Sequence, residues 1–115
     1  MKYLLMIYSA EGQWSQMTDA QKAQGLAAYG AYTEALNAAG VRLGSHRLRD
    51  TDTATTVRIV NGETKVLDGP YADSKEQLGG YFLIDVPDLD SALSWAARCP
   101  GASHGTMEVR PIWEM

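Results

Sequence analysis

Three observations predict an α+β fold for this chain of 115 residues. Strand-like and helix-like segments follow one another in the order β-α-β-β-β-β-α-β. Asn61-Gly62 separates two β-branched runs, as a hairpin turn does. The first strand-like run, and the fifth but for Asp85, are apolar on both faces rather than at alternate positions. With the Asn-Gly hairpin set aside as an insertion, this order is that of a ferredoxin-like α+β domain with its helices on one sheet face. The length suits one domain over residues 1–115, able to bury about two thirds of its unfolded surface without staples.

The elements follow in chain order. Tyr3 to Tyr8 is aromatic and aliphatic and predicts a strand, and a polar loop containing Trp14 follows. Thr18 and Gln21 form a capping box, and Asp19 suits the positive end of a helix that runs to about Ala39 and stops at Gly40. Leu26, Tyr29, Thr33 and Leu36 recur at helical spacing as its expected inner stripe. Val41 to Leu48 predicts a strand interrupted by Gly44. Thr53 to Val60 and Glu63 to Leu67 are the arms of the hairpin. Tyr81 to Val86 predicts the next strand. Asp88 caps a helix from Leu89 to about Arg98, which Cys99-Pro100-Gly101 ends, and Met107 to Ile112 predicts the last strand.

The two-faced strands carry a further expectation. Tyr3, Leu5 and Ile7 oppose Leu4, Met6 and Tyr8; Phe82, Ile84 and Val86 oppose Tyr81 and Leu83. Strands apolar on both faces need both covered, and two helices cover only one. A symmetric partner laid sheet to sheet is the simplest cover, so a homodimer is expected.

Composition excludes several classes. Ten basic against 14 acidic side chains give a net charge of −4, which offers no basic footprint for nucleic acid. No apolar run approaches the ~18 residues of a membrane span, and the start is too short for a secretory leader, so a cytoplasmic setting is expected. The single cysteine, Cys99, precludes an internal disulfide. No H-E-x-x-H or clustered cysteines call for a metal, and the glycines follow neither dinucleotide nor P-loop spacing, so no cofactor is expected.

The stretch Asp68-Gly69-Pro70-Tyr71-Ala72-Asp73-Ser74-Lys75-Glu76-Gln77-Leu78-Gly79-Gly80-Tyr81 resembles the D-G-P-F-x-E-x-K-E-x-L-G-G-[FY] signature of the DGPF branch of the YCII-related (YciI-like) family. The likeness continues through Ala54-Thr55-Thr56-Val57-Arg58, Asp88-Leu89-Asp90, Trp95-Ala96-Ala97 and Glu108-Val109-Arg110-Pro111-Ile112; Tyr71 stands for the usual Phe and Asp73 for the usual Glu. The resemblance implies a dimeric α+β barrel. It also implies acid/base chemistry on a His-Asp pair, in a superfamily that includes a dehydrochlorinase-type lyase. The histidine of that pair belongs to the first helix in the YciI branch, whereas residues 18–40 here hold none.

Asp68 is the leading candidate. It reads either as an Asx-type turn joining two strands at Gly69-Pro70 or as a carboxylate serving as base or ligand anchor. His46, in Gly-Ser-His-Arg, is a solvated strand-end residue or the partner of that acid. Tyr71 and Tyr81 are core residues or pocket hydroxyls. Lys75 belongs to a solvated turn or binds an anionic substrate. Arg110 shares a strand face with Glu108 and pairs either in an exposed bridge or with the carboxylate of Asp68 or a ligand. Gly79-Gly80 suits a bulge or a close backbone approach.

Two function classes follow. One is a small-molecule enzyme performing elimination or isomerisation with Asp68 and His46 as catalytic groups and Tyr71, Lys75, Tyr81 and Arg110 about the substrate. The other is a non-catalytic ligand-binding or regulatory module; the resemblance implies one associated with sigma-factor transcription control. A cofactor-free oxygenase on the same barrel has no sequence feature in its favour.

Overall fold

The computed structural model describes residues 1–114. Its elements are β1 (Lys2–Ala10), α1 (Asp19–Ala38), β2 (Arg42–Arg47), a 3-10 turn at Thr51–Thr53, β3 (Thr55–Val60), β4 (Glu63–Asp68), β5 (Glu76–Asp85), α2 (Leu89–Arg98), the single turn α3 (Gly101–His104) and β6 (Thr106–Pro111). Four strands form one antiparallel sheet in the order β2-β5-β1-β6, and β3-β4 pair apart from it. Without the hairpin this is the ferredoxin-like arrangement, with the two apolar runs β1 and β5 at the centre.

Local chemistry sets the element ends. Thr18 Oγ1 accepts from the Gln21 amide at 3.1 Å while Gln21 Oε1 accepts from the Thr18 amide at 2.9 Å, closing the capping box of α1. At the other end Gly40 takes φ +71°, and the amides of Gly40 and Val41 reach back to Asn37 and Leu36 in a Schellman closure. Asp88 caps α2 by accepting from the Ser91 amide at 2.8 Å. Asn61 (φ 53°) and Gly62 (φ 80°) both occupy the left-handed region that a two-residue hairpin turn requires.

The core lies between the helices and one face of the sheet. Tyr3, Leu5, Phe82 and Ile84 meet Tyr32, Leu36, Ala92 and Ala96 there. Tyr32 packs edge-on against Phe82 with ring centroids 5.1 Å apart and donates to the Trp95 carbonyl at 2.7 Å, so its polar tip is satisfied inside the core.

Several expectations need correction. Leu26 is exposed, and the buried stripe of α1 is Tyr32 and Leu36; the alanine-rich helix presents its largest aromatic inward. β5 begins at Glu76, five residues before its expected start at Tyr81, so Glu76 lies on a strand rather than in a turn. Gly79-Gly80 therefore sits inside β5, beside a register shift between Ile7 and Tyr8. A Cβ on Gly80 would stand 2.9 Å from the His46 carbonyl oxygen, which is why glycine carries the strand past β2 there. The turn α3 was not anticipated; it is too short to show helical periodicity.

Candidate functional site

The face of the sheet away from the helices is open. The described residues span 48 × 44 × 18 Å, a thickness with room for one helix layer on one sheet but not for a further layer about 10 Å beyond it. Pairing register places the residues of this face in rows. His46 of β2 stands opposite Tyr81 of β5, Tyr81 opposite Met6 of β1, and Met6 opposite Glu108 of β6. In the next row Gly44, Leu83, Leu4 and Arg110 are aligned in the same way. With strands about 4.8 Å apart, a row measures roughly 14 Å from edge to edge, about the scale of a small aromatic molecule with its substituents.

The polar chemistry of the face lies at its two sides. His46 Nδ1 and the Tyr81 hydroxyl are 2.9 Å apart, and the rings lie 5.7 Å apart at a tilt of 47°. If the tyrosine donates, Nε2 carries the imidazole proton and is a hydrogen-bond donor; if Nδ1–H donates, Nε2 is a bare lone pair and a base. Either way Nε2 has no hydrogen-bond partner among the described residues. On the far side Arg110 Nε lies 3.8 Å from Glu108 Oε2, an exposed pair, and the guanidinium keeps donors for an incoming anion. Between them Leu4, Met6 and Leu83 supply an apolar floor.

The six sequence-derived candidates thus divide. His46, Tyr81 and Arg110 share the open face, and His46 and Tyr81 touch. Asp68 and Tyr71 lie apart from it on the hairpin, beside a cleft of about 150 Å³ that Arg58 also lines. The Asp68 carboxylate makes no hydrogen bond or ion pair among the described residues; what closes the turn is the backbone, with the Gly69 amide donating to the Ala54 carbonyl at 2.8 Å. Lys75 stands in the connection to β5. Among the described residues no hydrogen bond or ion pair joins Asp68 to His46 or Arg110. Met6 and Tyr8, central on the open face, went unnoticed as site residues because an apolar strand position gives no sign of what it faces; only the register shows it.

Burial pushes the Cys99 thiol up, so it is no nucleophile at neutral pH. Burial, with Cys99 beside it, pushes Tyr29 up to about 12. Hydrogen bonds from the Thr51 hydroxyl and amide hold Glu11 below its usual range. Among the described residues, no three His, Cys, Asp or Glu side chains cluster as metal ligands, and no helix is long and apolar enough to cross a membrane.

Fold and face together define a class: a two-layer ferredoxin-like α+β chain with an uncovered sheet face bearing a histidine-tyrosine pair. The chain belongs to the YCII-related domain family, whose profile matches residues 1–115. It is 40% identical over 118 residues to an uncharacterized protein of Rhizobium meliloti (strain 1021), covering 97% of this chain and 92% of that one. Among solved structures it is similar to 5-chloro-2-hydroxyhydroquinone dehydrochlorinase from Burkholderia phenoliruptrix AC1100 in complex with 2,5-dihydroxybenzoquinone. That likeness has a TM-score of 0.59 at 16% identity, covers 99% of this chain and 94% of that chain, and is one of fold.

Proposed function

We propose that the chain is a small-molecule acid/base enzyme of the elimination or isomerisation type, working on the open sheet face. The observation that carries this reading is the 2.9 Å contact between His46 and Tyr81 on a face that no element among the described residues covers. In an elimination His46 Nε2 takes a proton from the substrate carbon, the C–H electrons become a double bond, and the leaving group departs from the neighbouring carbon with its electron pair. Tyr81 fixes the imidazole tautomer and ring orientation, and Arg110 anchors an anionic oxygen of the substrate. A second copy laid face to face, as in a dimeric α+β barrel, excludes water from the pair. Asp68, Tyr71 and Lys75, which lie apart from this face within one chain, reach the substrate from the hairpin and connection of the second copy, with Asp68 as a second acid/base group. Membership of the DGPF branch fits the Asp68-Gly69-Pro70 stretch. The dehydrochlorinase of like fold supports a planar, oxygenated ring as the substrate class.

The test is chloride release from 5-chloro-2-hydroxyhydroquinone together with calorimetric binding of 2,5-dihydroxybenzoquinone, for wild type, His46→Gln and Tyr81→Phe. We expect binding and turnover in wild type, and at least a tenfold loss in His46→Gln with an unchanged melting temperature. Binding without turnover would make the chain a ligand-binding module. Equal binding by all three folded proteins would remove the open face as the site. Light scattering checks the cover: the expected species at micromolar concentration is a dimer, and a monomer alone would exclude the face-to-face arrangement.

A further inference from the structure

On the other side of β2 from His46 lies a second concavity. Successive strand residues point to opposite faces, so Arg47 turns toward the helix layer, where its charge acts on the Tyr29 hydroxyl of α1. A shallow, solvent-open hollow of about 490 Å³ lies there between the loop after β1 and the chain after β2, lined by Trp14, Arg47, Leu48, Arg49, Asp50 and Asp52 among others.

Its walls are tied in place. Glu11 accepts from the Thr51 amide at 2.7 Å and from the Thr51 hydroxyl at 2.6 Å, joining the two segments that flank the hollow. The Trp14 ring lies against α1 at Gly25, where a Cβ would stand 3.3 Å from Cζ3. The Arg47 guanidinium stands 4.7 Å from the centroid of that ring, a cation–π contact that leaves donors at its edge for a planar acceptor. The Leu48 amide donates to the Gly79 carbonyl at 2.8 Å, prolonging the extended chain beyond β2. Arg49, beyond the end of β2, lines the same hollow as Arg47 and Leu48. Neither arginine, and neither Asp50 nor Asp52, is in an ion pair among the described residues.

We infer that this hollow is a second ligand site, distinct from the His46 face, and that it takes a small hydroxylated aromatic monocarboxylate. The planar carboxylate matches the guanidinium edge of Arg47 bidentately, and Arg49 adds a second donor. Leu48 and the Trp14 edge supply apolar contact for the ring. The two aspartates balance the two arginines, so the site disfavours dianions such as phosphate, and a phenolic hydroxyl gives an aspartate oxygen a donor.

The probe is 4-hydroxybenzoate, titrated calorimetrically into the full chain, with inorganic phosphate as competitor. We expect one site per chain, at least tenfold weakening in Arg47→Ala, and a smaller but clear loss in Arg47→Lys, which keeps the charge without the fork. His46→Gln should bind as wild type does. Arg49→Ala, with its side chain outside the cation–π contact, carries the same expectation of weakening should Arg47→Ala fail to fold. Absence of binding at millimolar probe, phosphate binding as tightly as the probe, or binding insensitive to the folded arginine variants would each overturn the inference. Loss in His46→Gln with Arg47→Ala unaffected would do so as well, by placing the ligand on the open face.

Discussion

The four-stranded sheet and the β3-β4 hairpin are both antiparallel, yet they meet opposite fates. In the sheet Leu5 and Ile84, with Leu36 of α1 packed on them, lose all contact with water. On the hairpin Val57, Ile59 and Val66, which the register places on one face, stay 60%, 73% and 61% exposed. The radius of gyration, 16.1 Å, exceeds the about 13 Å of a compact domain near this size, as a projecting arm would make it. Turn chemistry alone built the hairpin: Asn61-Gly62 folds it back with no core beneath. A lone two-stranded ribbon is marginal in water, so the contrast marks the hairpin, like the open face, as a surface awaiting cover.

One substitution made in both regions tests this most directly. Ile84→Ala, at a fully buried site beneath α1 and α2, should cost about 2–5 kcal/mol by losing transfer energy and leaving a cavity. Ile59→Ala should change the stability of dilute protein by no more than about 0.5 kcal/mol. Urea unfolding of the two variants measures the gap. A costly Ile59→Ala in dilute protein would show that the hairpin is already covered.

Gly69 gives an intermediate effect and a way to sharpen the contrast. Its φ is +106°, and a Cβ there meets nothing within 4 Å, so the penalty of Gly69→Ala is conformational and not steric crowding. We expect about 1–2 kcal/mol, seen as a lower melting temperature. Gly62→Ala, at φ +80° in equally open space, should cost a similar amount. Unchanged melting in both would mean that the hairpin unfolds apart from the sheet and contributes nothing to the main transition.

The two regions were also unequally legible. The features that were readable are ones fixed by neighbours in sequence: the capping box at Thr18, the stop at Gly40, the Asn61-Gly62 turn, the cap at Asp88. Features fixed by distant partners were not. Glu76 to Gly80 reads as a charged turn with two glycines, and only pairing with β1 and β2 makes it strand. Arg47-Leu48-Arg49 alternates as a strand does, but nothing nearby in sequence says that Trp14 supplies the ring beneath Arg47. The same limit separated the site candidates. His46 and Tyr81 are 35 residues apart and touch, whereas Asp68 and Tyr71, close in sequence to Tyr81, lie on the hairpin.

Two aspartates, one on each side of the comparison, give the smallest expected effects. Asp88 of the packed region accepts from the Ser91 amide and is held below the usual carboxylate range by that contact. A carboxylate whose folded pKa is depressed adds stability that is present above its unfolded pKa and lost as pH falls through the folded one. Asp88→Asn keeps a good cap but removes the titration. The melting-temperature advantage of wild type over this variant should therefore be present at pH 5 and shrink progressively as pH falls below the ordinary carboxylate range. Asp68 on the hairpin has no internal partner to lose, so Asp68→Asn should leave the melting temperature unchanged while weakening 2,5-dihydroxybenzoquinone binding or turnover at least tenfold. Thermal melts across pH and calorimetric titration of both variants decide the matter. An Asp68→Asn protein that melts lower but binds as wild type does would make Asp68-Gly69-Pro70 a joint between strands and remove it from the proposed site.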